Sequence, residues 1–488
     1  MKSIKSNLFF ICLLCFHTSQ TFGQNTSLKE QLQNFVVVYN SGDNEQLSNF
    51  IEMHFDKGID VDIETKRWLR WRQIYGKLEH KIPLIETANK YRAFYRGLDT
   101  KVWVELTLNK SRKSTERIRN IAVGSGLKPD KFTVEHLTSI EDLPKLADAY
   151  LQNMTSKNLF SGSVFVKKGN NVLFQKAYGF ANRSYQVKNT LETTFNLGSI
   201  TKLFTATAIF QLIDKGKLKL EDSLHKVLPQ IPDSISKGIT IKQLLTHTSG
   251  LGRGEYDKSL FPFEDMSVNE LLPLVYAESE FPPGTDVRYS NGAFIILGAI
   301  IEKLSRQDYF TYIVENIFDK ANMKTSGFYA VDEEVIKAES YTLGRFHDFN
   351  NVASYEDGKR RSAIYLNGYR GSPAGMSYSS VIDLSNYFNA LFGNKLMSNK
   401  TSEIFINEQV EIPKESESNI KNFYGFAWEI DKINGYKVIR KDGGTWGVST
   451  RMAYIPKDDI QIIVLSNYES IGFIAADYLT DLIVKNGL

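Results

Sequence analysis

Cysteine is almost missing from this chain: 488 residues contain two, Cys12 and Cys15, both within the first sixteen. Beyond residue 23 there is none, so disulfides and thiol chemistry are excluded there and stability must come from packing. Charge of one sign is lacking too. Against 59 Lys and Arg stand 56 Asp and Glu, a net +3 that is too slight over this length to argue for nucleic acid or an anionic membrane surface as partner. After the N-terminal segment no stretch approaches 18 uninterrupted apolar residues, so no membrane span is expected in the mature chain. No His pair has metal-ligand spacing, and neither a metal nor a cofactor is called for. Internal repeats and low-complexity segments are also absent. What remains is an ordinary globular composition, 42% hydrophobic and 24% charged, at a length that suggests two or three domains.

The two cysteines sit in the apolar run Leu8 to Phe16, preceded by Lys2 and Lys5 and followed by Ser19, Thr21 and Gly23. Basic, apolar, then small residues is the layout of a secretory signal peptide, expected over 1–23 with cleavage after Gly23. A lipoprotein signal using Cys15 is disfavoured by the bulky Leu14 before it. The product is then exported, periplasmic or secreted.

Residues 25–125 read as a small α+β unit. Ser27–Tyr39 and Asn44–Phe55 carry helical spacing, broken by Ser41-Gly42-Asp43, and a third helical piece covers Lys66–Tyr75. Four alternating runs follow, Lys81–Thr87, Tyr91–Gly97, Lys101–Leu108 and Glu116–Val123, as in an antiparallel meander. With its opening Phe35-x-x-x-Tyr-Asn-Ser-Gly-Asp43, this order resembles the cone-shaped fold of the nuclear transport factor two type, whose partner here is unknown. Lys110, Arg112 and Lys113 read as a solvated hairpin tip. Residues 126–139 are a linker, signalled by Gly124-Ser-Gly-Leu-Lys-Pro129.

Residues 140–488 begin with a helix at Glu141–Met154 and a hairpin, Ser163–Val166 with Val172–Tyr178. They end with the strand-like runs Tyr424–Ile430, Tyr436–Arg440, Val448–Ile455 and Gln461–Asn467, then an amphipathic helix, Ile471–Val484. Strands at both ends and helices between predict one antiparallel sheet with a helical lobe inserted, in a mixed α+β and α/β architecture.

Three motifs carry chemistry. The first is Ser199-Ile-Thr-Lys202, which opens a helix whose apolar residues are Leu203, Phe204, Ala208, Leu212 and Ile213 and whose stop is Gly216. Three residues apart on a helix, Ser199 and Lys202 can meet. A buried lysine is easier to deprotonate, and its amine can take the serine proton. Ser-x-x-Lys alone is cheap: it recurs at Ser125, Ser223, Ser234 and Ser418, each read as a solvated turn or helix end.

The second motif is Tyr289-Ser-Asn291. A phenol near an ammonium is stabilised as phenolate and can exchange protons with a serine oxygen, and an asparagine can donate to a substrate carbonyl. Tyr365-Leu-Asn367 and Tyr387-Phe-Asn389 match the same pattern, the first read as a loop and the second as packed within a helix. The third is Lys441-Asp-Gly-Gly-Thr-Trp-Gly447, between strand-like runs. Its glycines would let a substrate backbone lie along a strand edge, and a free N–H could join that of Ser199 in an oxyanion hole. The competing reading is a glycine-rich hairpin turn with a solvated lysine.

Taken together and in order, these motifs resemble those of the class C beta-lactamase and penicillin-binding-protein-like serine hydrolases. The likeness covers residues 140–488 and includes Phe160-Ser-Gly-Ser-Val-Phe-Val166, Ile239-Thr-Ile-Lys-Gln-Leu-Leu-Thr-His-Thr-Ser-Gly-Leu251 and Ala374-Gly-Met-Ser-Tyr-Ser-Ser380. It implies Ser199 as acylated nucleophile, with Lys202 and Tyr289 sharing the proton work. Asn291, Lys441 and Gly443 would bind substrate, and the N–H groups of Ser199 and Gly444 would hold the oxyanion. His247 reads as a structural loop residue rather than a base. There is no candidate for the separate glutamate base of class A enzymes, so deacylation also falls to Tyr289 and Lys202.

Two residues depart from the family pattern. Asp442 stands where a hydroxyl residue is usual and is expected to face the cleft and repel a beta-lactam carboxylate, and Trp446 is expected to narrow the entrance. The expectation is therefore an exported serine hydrolase acting on an amide or ester, such as a D-amino-acid peptide or small ester. The alternatives are a true beta-lactamase and a protein that binds penicillin or peptidoglycan peptides without turnover.

Overall fold

The computed structural model describes residues 26–486 apart from 99, 101, 115, 125–136, 138, 253–265, 277–278, 331, 334, 349–350, 355–358, 368–369 and 413–420. The expected signal peptide at 1–23, and the expected linker at 126–139 apart from Leu137 and Ser139, lie outside the described residues.

Helix α1 (Leu28–Ser41) starts on a capping box in which the Ser27 hydroxyl accepts from the Glu30 N–H at 3.2 Å while the Glu30 carboxylate accepts from the Ser27 N–H. Gly42, at φ +83°, ends it, and the Asp43 carboxylate caps α2 (Asn44–His54). With α3 (Val61–Tyr75) these helices bury Leu32, Phe35, Tyr39 and Trp68 against a four-stranded antiparallel meander. Its strands are β1 (Leu78–Glu86), β2 (Lys90–Gly97), β3 (Trp103–Lys110) and β4 (Ile118–Gly124). Arg112 and Lys113 are exposed at the turn after β3.

After α4 (Leu143–Ser156), β5 (Gly162–Lys168) and β6 (Asn171–Tyr178) form a hairpin. The chain then passes through α5 (Thr201–Asp214), α6 (Asn291–Ser305) and α7 (Val381–Phe392). It returns as β7 (Val410–Glu411), β8 (Lys421–Tyr424), β9 (Glu429–Ile433), β10 (Tyr436–Thr445), β11 (Val448–Ile455) and β12 (Ile460–Ser466), and ends in α8 (Ile471–Asn486). One eight-stranded sheet runs β7-β8-β9-β10-β11-β12-β5-β6, so strands from both parts of the chain close it, as the sequence predicts. Alternation along β12 divides the core. Ile463 and Leu465 pack with α5, α6 and α7, while Ile462 and Val464 pack with α8 and the N-terminal helices in a second cluster. Arg70 of α3 also faces Glu469 at 3.6 Å, and the Leu137 N–H donates to the Asn486 side chain at 3.2 Å.

Two expectations change. The run Tyr424–Ile430 is not one strand: Gly425 and Trp428 close a turn, N–H to O at 2.9 Å, with Ala427 at φ +67°, and β9 starts after it. The apolar stripe on α5 is real, but the helix lies between sheet and lobe and is buried from Thr201 to Leu212. Its polar side chains are matched inside: Thr205 donates to Pro373 O at 2.7 Å, Thr207 shares a bond with Tyr387 OH at 2.7 Å, and Gln211 donates to Leu396 O at 3.0 Å. Tyr387 is thereby a packed helix residue, as read.

Candidate active site

Ser199 lies in a 3₁₀ turn, Gly198–Ile200, that feeds directly into α5. Gly198, at φ +50°, lets this turn approach β10, for a Cβ there would sit 2.7 Å from the Gly444 nitrogen. From the strand side, a Cβ on Gly443 would collide with the Leu197 carbonyl and the Thr450 hydroxyl. The glycine expected at Gly443 to lie along substrate is thus also what lets the nucleophile turn pack against the strand. From behind, Met376 N–H donates to Gly198 O at 3.0 Å and Leu197 N–H to Ser377 O at 2.8 Å, so the Ala374–Ser380 segment cradles the same turn.

Lys202, one residue into α5, is wholly buried. Its Nζ lies 3.2 Å from Ser199 Oγ and 2.8 Å from Asn291 Oδ1, and it also donates to Ala374 O. These three oxygens match the three N–H bonds of an ammonium. They equally match a neutral amine that donates to Asn291 and Ala374 and turns its lone pair to the serine hydroxyl. The Ala374 carbonyl is a partner that sequence reasoning missed, and no side-chain signal could reveal it, because every residue carries a carbonyl.

Asn291 is the first residue of α6, and Ser290 caps that helix by accepting from the Ala293 N–H at 3.1 Å while donating to Gly252 O at 2.8 Å. The preceding Tyr289 ring has Lys202 Nζ 4.8 Å and Lys441 Nζ 5.1 Å from its centroid. Both ammonium groups lie within cation–π range of the ring. Lys441 is also buried, which lowers its pKa, with Glu429 and Asp442 opposing that shift. Thus Ser199, Lys202, Tyr289, Asn291, Lys441 and Gly444 come together from three separate parts of the chain.

The third motif is not a hairpin turn, for β10 continues through Lys441 and Gly444 to Thr445. The alternation of a strand therefore corrects the expectation for Asp442, which points to the face opposite Lys441. There it accepts from Arg451 Nη2 at 2.7 Å and Arg440 Nη1 at 3.0 Å. Burial pushes its pKa up, but the two guanidiniums outweigh it and hold the carboxyl at about 2. Trp446 is half-buried, with its carbonyl accepting from Asn367 at 2.8 Å. Asn367, from the competing Tyr-x-Asn match, thus braces the β10–β11 turn. Ser223 and Lys226, one of the other Ser-x-x-Lys copies, lie at a surface helix where Lys226 is 79% exposed.

Among the described residues no group of three or more His, Cys, Asp or Glu could hold a metal, and no helix is long and apolar enough to cross a membrane.

Residues 146–483 match the family model described as Beta-lactamase. Among curated relatives, Penicillin-binding protein 4* of Bacillus subtilis is 28% identical over 329 residues, covering 65% of this chain and 70% of its own. Of solved structures, a penicillin-binding protein from Bacillus halodurans is 27% identical with a TM-score of 0.60, covering 68% of this chain and 99% of that one. The D-amino acid amidase of Ochrobactrum anthropi shares the fold at 19% identity, TM-score 0.59, over 71% of this chain and 100% of that one.

Proposed function

Given that the chain belongs to the beta-lactamase family and is a serine hydrolase, we propose that it cleaves an amide or ester of a D-amino-acid peptide, or a small ester, through an acyl-enzyme on Ser199. The observation that carries this reading is the 3.2 Å approach of Lys202 Nζ to Ser199 Oγ, with two neutral oxygens on the remaining N–H bonds. Ser199 Oγ attacks the carbonyl carbon, and its proton passes to the Lys202 amine, directly or by way of Tyr289. The oxyanion is held by the N–H groups of Ser199 and Gly444, one such donor being worth about 3–4 kcal/mol of barrier. The proton then moves to the leaving amine or alkoxide as the carbonyl re-forms. Water next attacks the acyl ester, giving a proton to the same pair, which returns it to Ser199 Oγ as the acyl C–Oγ bond breaks and the acid leaves. Asn291 and Lys441 hold the substrate, and Tyr289 works between the two lysines.

A second reading, beta-lactam hydrolysis, is favoured by Asp442: its carboxylate is bound by arginines on the far face of β10 and does not oppose a substrate carboxylate. The same proposal has the chain exported by residues 1–23, with 25–125 and 140–488 as two units.

The test is intact-mass analysis after a serine-reactive fluorophosphonate, with wild type and Ser199→Ala side by side. One adduct on wild type and none on the variant is the expected outcome; equal labelling of both overturns the assignment. Turnover of D-alanyl peptides or short nitrophenyl esters, against that of a chromogenic cephalosporin, then chooses between the readings. Stoichiometric penicillin labelling without release would favour a binding protein.

A further inference from the structure

His247 is wholly buried, and its main chain stands at φ +59°. Its carbonyl accepts from the Arg288 N–H at 2.8 Å and its Nδ1 from the Ser290 N–H at 3.1 Å. Those donors are the residues on either side of Tyr289. The imidazole ring itself lies against the Tyr289 ring, centroids 4.4 Å apart and planes 32° apart. Phe294 at 5.3 Å and Tyr424 at 5.4 Å pack against the same imidazole. One histidine therefore holds the tyrosine by both backbone neighbours and by its ring.

The same contacts exclude His247 as the base. A neutral imidazole has one nitrogen lone pair, and here it is committed to the Ser290 N–H, so the ring proton is on Nε2. Nε2 has no hydrogen-bond partner among the described residues. The charged and titratable groups around the ring are Lys202, Lys441, Tyr289 and Tyr424. Burial and the two ammonium groups keep the imidazole neutral. A cation there would compete with Lys202 and Lys441 for the phenol, whereas a neutral flat ring sets the position of Tyr289 without changing the charge around it.

Resting on the roles given above to Ser199, Lys202 and Tyr289, we propose that His247 is a positioning residue that holds the Tyr289 ring between Lys202 and Lys441. The test compares His247→Ala with His247→Asn in the full chain, using p-nitrophenyl butyrate. Asparagine tolerates the left-handed backbone and keeps an acceptor for the Ser290 N–H, yet it cannot act as a base. Displacing Tyr289 should lower kcat about 100-fold in His247→Ala with KM little changed, since misplacement of about 1 Å costs that much. His247→Asn should recover to within about tenfold of wild type, again on the scale of partial misplacement, with both limbs of the pH–rate profile unshifted.

Equal kcat in the two variants, or loss of the acid limb in His247→Asn, overturns the proposal. Thermal unfolding checks that each variant is folded. Should His247→Ala fail to fold, His247→Asn decides alone by the same tenfold limit and pH profile. Fluorophosphonate labelling of wild type runs in parallel. No label on Ser199 ends the hydrolase reading, whereas label there with equal loss in both variants ends this inference only.

Discussion

The two faces of β10 bury cations in opposite ways. Toward the helical lobe, Lys202 turns to a hydroxyl, an amide oxygen and a carbonyl oxygen, and Lys441 stands over the Tyr289 ring. Toward α8, Arg440 meets Asp431 at 2.6 Å, Glu429 at 2.8 Å and Asp442 at 3.0 Å, while Arg451 is paired with Asp442 and Asp477. Four carboxylates around two guanidiniums make a brace in which each cation is already paired. The lysines are placed differently: Lys202 meets neutral oxygens, and Lys441 stands over a π face with Glu429 and Asp442 acting on it from further off. Arginine suits the first task because it stays charged, and lysine the second because it can give up a proton.

Removing the reactive amine should have the largest effect. Lys202→Met is expected to lower kcat/KM by about 10³–10⁴, the upper range for a general base, while the thermal transition stays in place. Stopped-flow acylation with a nitrophenyl ester measures it. A loss under tenfold would mean that the lobe-side lysine is no more than packing.

Breaking the brace should do the reverse. Asp442→Asn removes the carboxylate that joins Arg440 to Arg451, leaving Arg451 with Asp477 alone, and should lower unfolding stability by about 3 kcal/mol, with kcat changed little. Urea titration reads this against steady-state rates, and a variant of normal stability but poor turnover would put Asp442 back in the cleft. The brace also sets an acid limit. Because the Asp442 pKa is lowered in the fold, from 3.8 to about 2, its contribution is complete above about pH 4 and is lost as pH falls toward 2. Wild-type stability should therefore fall faster than that of Asp442→Asn over this interval.

Gly443→Ala tests the contact between the two sides, since a methyl would press on the Leu197 carbonyl. It should cost about 1–3 kcal/mol as overpacking and slow acylation, because the displaced turn carries Ser199. Smallest of all, Lys226→Ala, in a solvated copy of the Ser-x-x-Lys pattern, should shift stability by no more than about 0.5 kcal/mol and leave the rate unchanged. A measurable loss of turnover there would remove the distinction between a buried and an exposed copy.

Asp442 shows how far the motif could be read. Once Lys441 is known to face the cleft in a strand, period-two alternation turns Asp442 away from it. Ending the strand-like run at Arg440 hides that consequence, and β10 in fact runs on to Thr445. The glycine at Gly443 is required by the Leu197 turn, a long-range contact that the motif itself does not display. His247, by contrast, carried a signal in its position within the Leu244–Leu251 run, but nothing local tied it to Tyr289.

What the chain's sequence determines unaided is whatever depends on near neighbours. Ser199 and Lys202 stand three apart at a helix start, Gly42 and Asp43 separate two helices, and alternating runs at 162–178 and 436–466 can only seek one another as strands. Only the tertiary structure decides which distant groups share the space around Lys202: Asn291 lies 89 residues away and Ala374 lies 172. Spacing along the backbone sets local contacts through helix and strand geometry. Those long-range meetings arise when apolar faces are buried against each other, and that burial carries the polar groups with it.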